Sequence, residues 1–335
     1  MRPAGRGDRG GKTVNVPSDK RPPGALAREA VTVAVLCRAD EPALARTLRT
    51  LEAAAEPLAH DGREVGFAIC VNGPAGSGAA LAAANAMAAR RAPGTVRVLV
   101  DARADKARAW NLVRAACATP LIAFCDADVE VAPDALAKLA AALDAAPDVQ
   151  LASARQVPVF GPFASEGGSA GARRATLVAR AAAIPYRFDF QVVGGRLYLM
   201  RAAAVERMPE GLLLEDGWLS ARLGNDVLRT VHDAEVRFHP PTTLADYFRE
   251  RMRTEAGKLQ IRDERRDEGR SQQPIARYRW REMSAALGAA DLPLVAVNLG
   301  VRFAARALAG LAARRGRSVA WAPIASSKPH PTEVP

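Results

Sequence analysis

Two pairs of carboxylates dominate the chemistry that this sequence offers. Phe124-Cys-Asp-Ala-Asp-Val129 sets Asp126 and Asp128 two residues apart, directly after an apolar run. Oxygen donors so placed suit a hard cation such as Mg2+ or Mn2+, which takes few protein ligands and completes its shell with phosphate oxygens. The pair reads as a handle for a diphosphate; the competing reading is a helix cap at a loop start. Leu212-Leu-Leu-Glu-Asp-Gly-Trp-Leu219 sets Glu215 beside Asp216, between an apolar run and a glycine. Apolar surroundings raise a carboxylate's pKa and a nearby cation lowers it, so one member could serve as general base for a hydroxyl. The same residues suit the acidic first turn of a helix over residues 218–223, where negative charge meets the helix dipole.

Lys106-Ala-Arg-Ala-Trp-Asn111 opens a helical pattern, and a cation there could pair with phosphate oxygens or simply face solvent. His232 and His239 could be further metal ligands, but with no second His at ligand spacing they read as ordinary polar residues. No GxGxxG, P-loop, HExxH or GxSxG pattern is present, which excludes the common dinucleotide, NTPase, zinc-protease and serine-hydrolase signatures.

The elements that must position these groups alternate. Apolar, β-branched runs at 31–37, 65–71, 96–100 and 121–125 read as buried strands. Between and after them, helical spacing predicts helices over 42–55, 79–91, 106–116 and 133–145. Such alternation indicates an α/β fold, a mostly parallel central sheet flanked by helices. Ligands then sit beyond the carboxyl ends of the strands, so the loops at 38–41, 72–76, 101–106 and 126–128 should meet at one rim. From about Val149 the rhythm becomes less regular, with a Gly/Ser-rich loop at 161–171 and a helix over 172–183. Residues 189–200 read as two strands turning at Gly194-Gly195. Beyond Arg249 comes an arginine-dense helix to about 270, a basic aromatic patch Arg277-Tyr-Arg-Trp-Arg281, and an apolar run at 292–301 leading into a helix. The boundaries expected are a disordered basic arm over 1–29, a catalytic domain over 30–260, a basic helical extension over 261–321 and a flexible tail over 322–335.

Together these motifs resemble the family-2 inverting glycosyltransferases with the GT-A fold. Val33-Ala-Val-Leu-Cys-Arg-Ala-Asp-Glu41 is similar to that family's first strand ending in Asn-Glu, here Asp40-Glu41. Residues 106–111 resemble its Gly-Lys-x-x-Ala-x-Asn segment, with Asp105 in place of glycine. Asp126-Ala-Asp128 matches its Asp-x-Asp, Glu215-Asp216 its Glu-Asp, and Gly194-Gly195 precedes what looks like its acceptor-side strand. The resemblance implies Asp128 and Asp126 as ligands of Mn2+ or Mg2+. It further implies Asp216, with Glu215, at the acceptor hydroxyl. Arg38, Asp40, Glu41, Asn72, Lys106, Asn111, Asp126 and Arg253 would line a nucleotide-sugar pocket. Two departures stand out. Val71 precedes Asn72-Gly73 where the family often has an acidic residue against the base, so uridine is not implied. Tyr247-Phe-Arg-Glu-Arg-Met-Arg-Thr-Glu255 keeps only the arginine, Arg253, of the Gln-x-x-Arg-Trp segment of polymerising members, which favours single addition.

The net charge of +11 over 335 residues favours an anionic partner: a phosphorylated substrate, an acidic lipid surface or nucleic acid. Two rivals to the transferase reading follow. One is a basic nucleic-acid-binding protein using the arm and residues 277–281, although no recognised module is present. The other is a catalytically silent domain docked at a membrane. Four cysteines without a CxxC pair, and no apolar segment after the basic start, predict a cytoplasmic protein, peripheral on the inner face of the membrane if the basic C-terminal helices attach there. Residues 283–301, holding Asp291 and Asn298, read as a poor spanning helix. The acceptor is not named by the sequence; a lipid-linked molecule or a polysaccharide fits the basic C-terminal region.

Overall fold

The computed structural model describes residues 28–74, 78–161, 170–188, 193–268, 287–315 and 325–327. Residues 1–27 of the basic arm, the basic aromatic patch at 277–281 and most of the Gly/Ser-rich loop and of the tail lie outside them. The alternation of the first half is realised as β1 (Val31–Arg38), α1 (Leu44–His60), β2 (Val65–Asn72), α2 (Ala79–Arg90), β3 (Val96–Asp101), α3 (Lys106–Ala116), β4 (Leu121–Asp126), β5 (Glu130–Val131) and α4 (Ala135–Asp144). β1 pairs in parallel with β2 and β4, and β2 with β3. The register sets Leu36 opposite Asp126, Arg38 opposite Asn72, and Asn72 opposite Asp101. The ends of four strands are therefore level, and the loops leaving them share one rim, as the alternation required.

The second half is more regular than its sequence suggests. β6 (Leu151–Pro158), α5 (Ala170–Ala183), β7 (Leu197–Arg201), α6 (Glu215–Leu223), β8 (Leu228–Phe238), α7 (Leu244–Asp267) and α8 (Leu292–Arg314) complete the chain. The eight-stranded sheet runs β3-β2-β1-β4-β7-β6-β8-β5 and becomes mixed beyond β4, where β7 is antiparallel to both β4 and β6. β6 and β8 pair in parallel with a register jump from Ala154–Val231 to Arg155–Glu235, and this bulge interrupts the alternation that would have marked β8 as a strand. Of the strand pair expected over 189–200, the second strand forms as β7, while residues 189–192 lie outside the described residues; Gly195 before β7 serves a close approach to Asp216.

Apolar side chains fill both faces of the sheet. Leu44, Leu48, Leu51, Leu136 and Leu139 pack α1 and α4 on one face, while Trp110, Val113, Trp218 and Leu219 pack α3 and α6 on the other. α6 and α7 meet at Leu214, into which a side chain at Gly257 would collide; a Cβ at Gly217 would come 2.6 Å from Leu214 Cδ2. That contact fixes the entry to α6, and with it Glu215 and Asp216. α8 lies along α7 and α5, where buried Asn298 donates from Nδ2 to Ala181 O (2.8 Å) and Tyr247 Oη (2.6 Å). Within the tail expected to be flexible, Ala325–Ser327 instead docks on the start of α7: Ser326 N donates to Asp246 Oδ2 (2.9 Å), and Ser326 Oγ accepts from Thr242 N (3.1 Å).

Candidate active site

A cleft of about 460 Å3 opens where β1, β2 and β4 end, a size that suits a small-molecule ligand. Arg38, Asp40, Glu41, Asn72, Lys106, Asp126, Asp128, Glu215 and Arg253 line it, bringing together residues up to 215 positions apart in sequence. Glu41 is buried and accepts from Ala43 N (3.0 Å) at the start of α1. Arg38 grips Asp40 through Nε (2.8 Å) and a terminal nitrogen (3.0 Å). Asn111 is not on the wall, which corrects its expected role: Nδ2 donates to Met208 O (2.9 Å) and Oδ1 accepts from Met208 N (2.9 Å). Both of its polar atoms are used to hold the backbone that leads toward α6.

Asp126 and Asp128 do not cap a helix, since α4 begins nine residues after Asp126 with Asp134 as its cap residue. Instead they leave β4 and enter the cleft. Thr47, fully buried on α1, places Oγ1 2.9 Å from Ala127 O and 2.8 Å from Val129 O, fixing the loop from below. The sequence reading missed Thr47, because a lone threonine on an apolar helix face carries no signal.

Lys106 is the first residue of α3, with Asp105 Oδ1 capping the helix by accepting from Arg108 N (3.1 Å). Its side chain turns into the cleft and is mostly buried. Nζ donates to Asp126 Oδ1 (2.7 Å) and pairs with Glu215, joining the two acidic motifs. Burial works against the ammonium, but the two carboxylates outweigh it and raise its pKa. Glu215 shows the reciprocal effect: despite burial, Lys106 holds its carboxyl below the usual range.

Asp216 stands one residue further along the first turn of α6, half-buried behind the cleft wall. Its Oδ1 accepts from Gly217 N (2.8 Å), and Ser220 Oγ donates to its backbone carbonyl (2.8 Å). Burial, then the charge of Glu215, push its carboxyl up to about 6 against the pull of Lys106. Adjacent carboxylates thus diverge, one kept ionised by Lys106 and one poised near neutrality, the separation that acid–base work needs.

Several wall residues were not singled out beforehand, and one, His239, was read as an ordinary polar residue. Arg196 sits over the Phe238 ring, Cζ 3.6 Å from the centroid, and donates to Tyr186 Oη (3.1 Å) and to Gln156 Oε1. Its signal was its place between Gly194-Gly195 and the apolar run of β7. Phe238, His239 and Pro241 arrive at the end of β8, a strand not foreseen, and Glu250 comes from α7 beside Arg253. His239 is therefore at the site, whereas His232 is exposed on β8.

Residues 32–189 match the family described as glycosyl transferase family 2. No curated protein matches the chain by sequence. Among solved structures, a mannosyltransferase from Pyrobaculum calidifontis in complex with GDP-Man and Mn2+ is similar in fold, at TM-score 0.54 and 18% identity over 89% of this chain and 80% of that one. Glucosyl-3-phosphoglycerate synthase from Mycobacterium tuberculosis, with Mn2+, UDP and glucosyl-3-phosphoglycerate, gives 0.46 at 20% identity over 70% and 80%. Mannosyl-3-phosphoglycerate synthase from Rubrobacter xylanophilus gives 0.46 at 16% over 73% and 77%. Residues 32–189, then, are similar to glycosyl transferase family 2, and they are carried on a GT-A fold.

Proposed function

We propose that this chain transfers a hexosyl group from a nucleoside-diphosphate sugar to an acceptor hydroxyl, with inversion, one residue per acceptor, with Mn2+ or Mg2+ as cofactor. The observation that carries the reading is the convergence of Asp126, Asp128, Lys106 and Glu215 in one cleft at the strand ends of a domain similar to family 2. Glu41, Asn72 and Arg253 would hold the nucleotide, and Arg38 and Arg196 add positive charge to a site for a diphosphate.

The cation fits the donor set. Among the described residues no three His, Cys, Asp or Glu side chains form a ready-made cage, so Asp128 and Asp126 would share the ion with substrate oxygens. That is the usual arrangement of Mg2+ at phosphate sites. When bound, it would supply Lewis-acid neutralisation of the leaving nucleoside diphosphate. Lys106 holds Asp126 and Glu215 in position. Asp216 takes the acceptor's proton as its oxygen attacks the anomeric carbon from the face opposite the leaving group, and that displacement inverts the centre.

The retained acidic residues, and the pKa near neutrality at Asp216, favour this over a silent domain. The four free cysteines agree with a reducing, cytoplasmic setting. The test is thermal-shift binding and donor hydrolysis across GDP-, UDP-, TDP- and CDP-sugars with and without Mn2+, GDP-Man heading the panel. Metal-dependent recognition of one donor, weakened in Asp128→Asn and with turnover lost in Asp216→Asn, is expected. No metal-dependent response to any donor would overturn the reading.

A further inference from the structure

α8 has two apolar faces and only one is covered. Asn298, Val301, Ala305 and Ala309 are buried against α7 and α5. On the opposite side, Leu292, Ala296, Leu299 and Phe303 recur at helical spacing and face outward, with Phe303 68% and Leu292 64% exposed. A contiguous apolar stripe on a surface helix, built here on two leucines and a phenylalanine, marks an interaction face.

The charges around the stripe are almost all positive; Asp291, the acid that directly precedes it, is paired with Arg187 (2.7 Å). α8 contains no acidic residue from Leu292 to Arg314, and Arg306, Arg314 and the following Arg315 are exposed. α5, which packs beside it, also has no acidic residue; its Arg173, Arg174 and Arg180 are exposed around Leu177. A symmetric contact between two copies of this face would set arginines against arginines. Nucleic acid would meet leucines and a single exposed ring, Phe303, where several stacking rings would be needed. An apolar stripe flanked by arginine suits the boundary between acyl chains and acidic headgroups. With the preceding turn, the helix spans 26 residues, with mean hydropathy 1.5 in its most apolar window, and is long enough to cross a bilayer. Its buried Asn298, bonded to Tyr247 and Ala181, ties it lengthwise to the domain instead.

We propose that the outward face of α8, with the arginines of α5, lies in the interface of a membrane rich in anionic lipid. α7 connects this face to the chemistry, since it packs on α8 and carries Glu250 and Arg253 into the cleft. Docking would hold the cleft beside acceptors that share the membrane.

The test is co-sedimentation of the full chain with vesicles of phosphatidylcholine alone or with 30% phosphatidylglycerol, in low and high salt; it reads no turnover, so it stands or fails apart from the proposed transfer reaction. Binding to the anionic vesicles, reduced by salt, is expected. Leu299→Ser with Phe303→Ser should weaken it by roughly tenfold or more. Arg306→Glu should weaken the anionic preference by about fivefold or more, each variant keeping the wild-type circular dichroism and melting profile. Failure of the wild type to bind at low salt, undiminished binding by the serine variant, or release only by detergent, as for a spanning helix, would overturn the proposal.

Discussion

Gly195 and Asp216 occupy one space: a Cβ added to the glycine would stand 2.7 Å from Asp216 Oδ2 and 2.8 Å from its Cβ. The second glycine of the Gly194-Gly195 pair is therefore a seat for the carboxylate. Gly195→Ala must push Asp216 aside, and the three atoms nearest the added Cβ all belong to Asp216 rather than to the Asp126–Asp128 loop, whose Asp126 N donates to Arg196 O (2.9 Å). A displacement of about 1 Å at a reacting group costs on the order of a hundredfold in rate. Steady-state kinetics should show kcat reduced by about that factor with little change in donor KM.

The carboxyl of Asp216 makes opposite demands on stability and turnover. Its folded pKa is raised to about 6, above the value of about 4 for an unfolded chain. Its contribution to stability is therefore complete below pH 4 and lost as pH rises through 6. As a base it works only when ionised, so the rate should rise through pH 6. Asp216→Asn, which keeps an acceptor for Gly217 N, should abolish transfer yet melt higher than wild type above pH 6, by on the order of 2 kcal/mol. Melting curves at pH 4.5 and pH 8 check this; a variant less stable than wild type at pH 8 contradicts it.

Lys106 keeps two acidic motifs together. Lys106→Met leaves Asp126 and Glu215 facing each other without their shared cation. Breaking such a pair costs several kcal/mol when fully buried, and about 2 kcal/mol is expected here because the three side chains touch solvent. Because the loss is electrostatic, Mn2+ alone should recover more of the melting temperature in the variant than it adds to wild type. Equal shifts in both proteins would count against the arrangement.

The first half of the fold was legible because its strands are buried on both faces and read as continuous apolar runs, such as Val31–Cys37 and Leu121–Cys125. Lys106–Ala116 was legible to the residue, since Asp105 marks its start. Beyond Val149 the signal fades for a physical reason. β6 carries Arg155 and Gln156 at half-exposed positions and β8 is broken by its bulge, so neither keeps a strand's period. With β8 unseen, Phe238 had no route to the site, and nothing raised His239 above an ordinary polar residue. Motif residues could be singled out from their spacing, whereas Thr47, which acts through contacts with distant backbone, had no local pattern to reveal it.

Asn111 separates a binding role from a positioning one. Placed in a motif beside Lys106, it looks like a nucleotide contact, but both of its amide atoms close on the backbone of Met208, a buried residue. Three residues on, Gly211 N donates to Asp105 Oδ2 (2.8 Å), so the start of α3 fastens the strand of chain that delivers Glu215 and Asp216. Asn111→Ala would strand the N–H and carbonyl of Met208, at about 2 kcal/mol of stability. The melting temperature should fall and kcat should fall with it as the carboxylates lose their anchorage, while donor KM holds near the wild-type value. A direct contact to the nucleotide would instead raise KM and leave the melting temperature of the free protein unchanged.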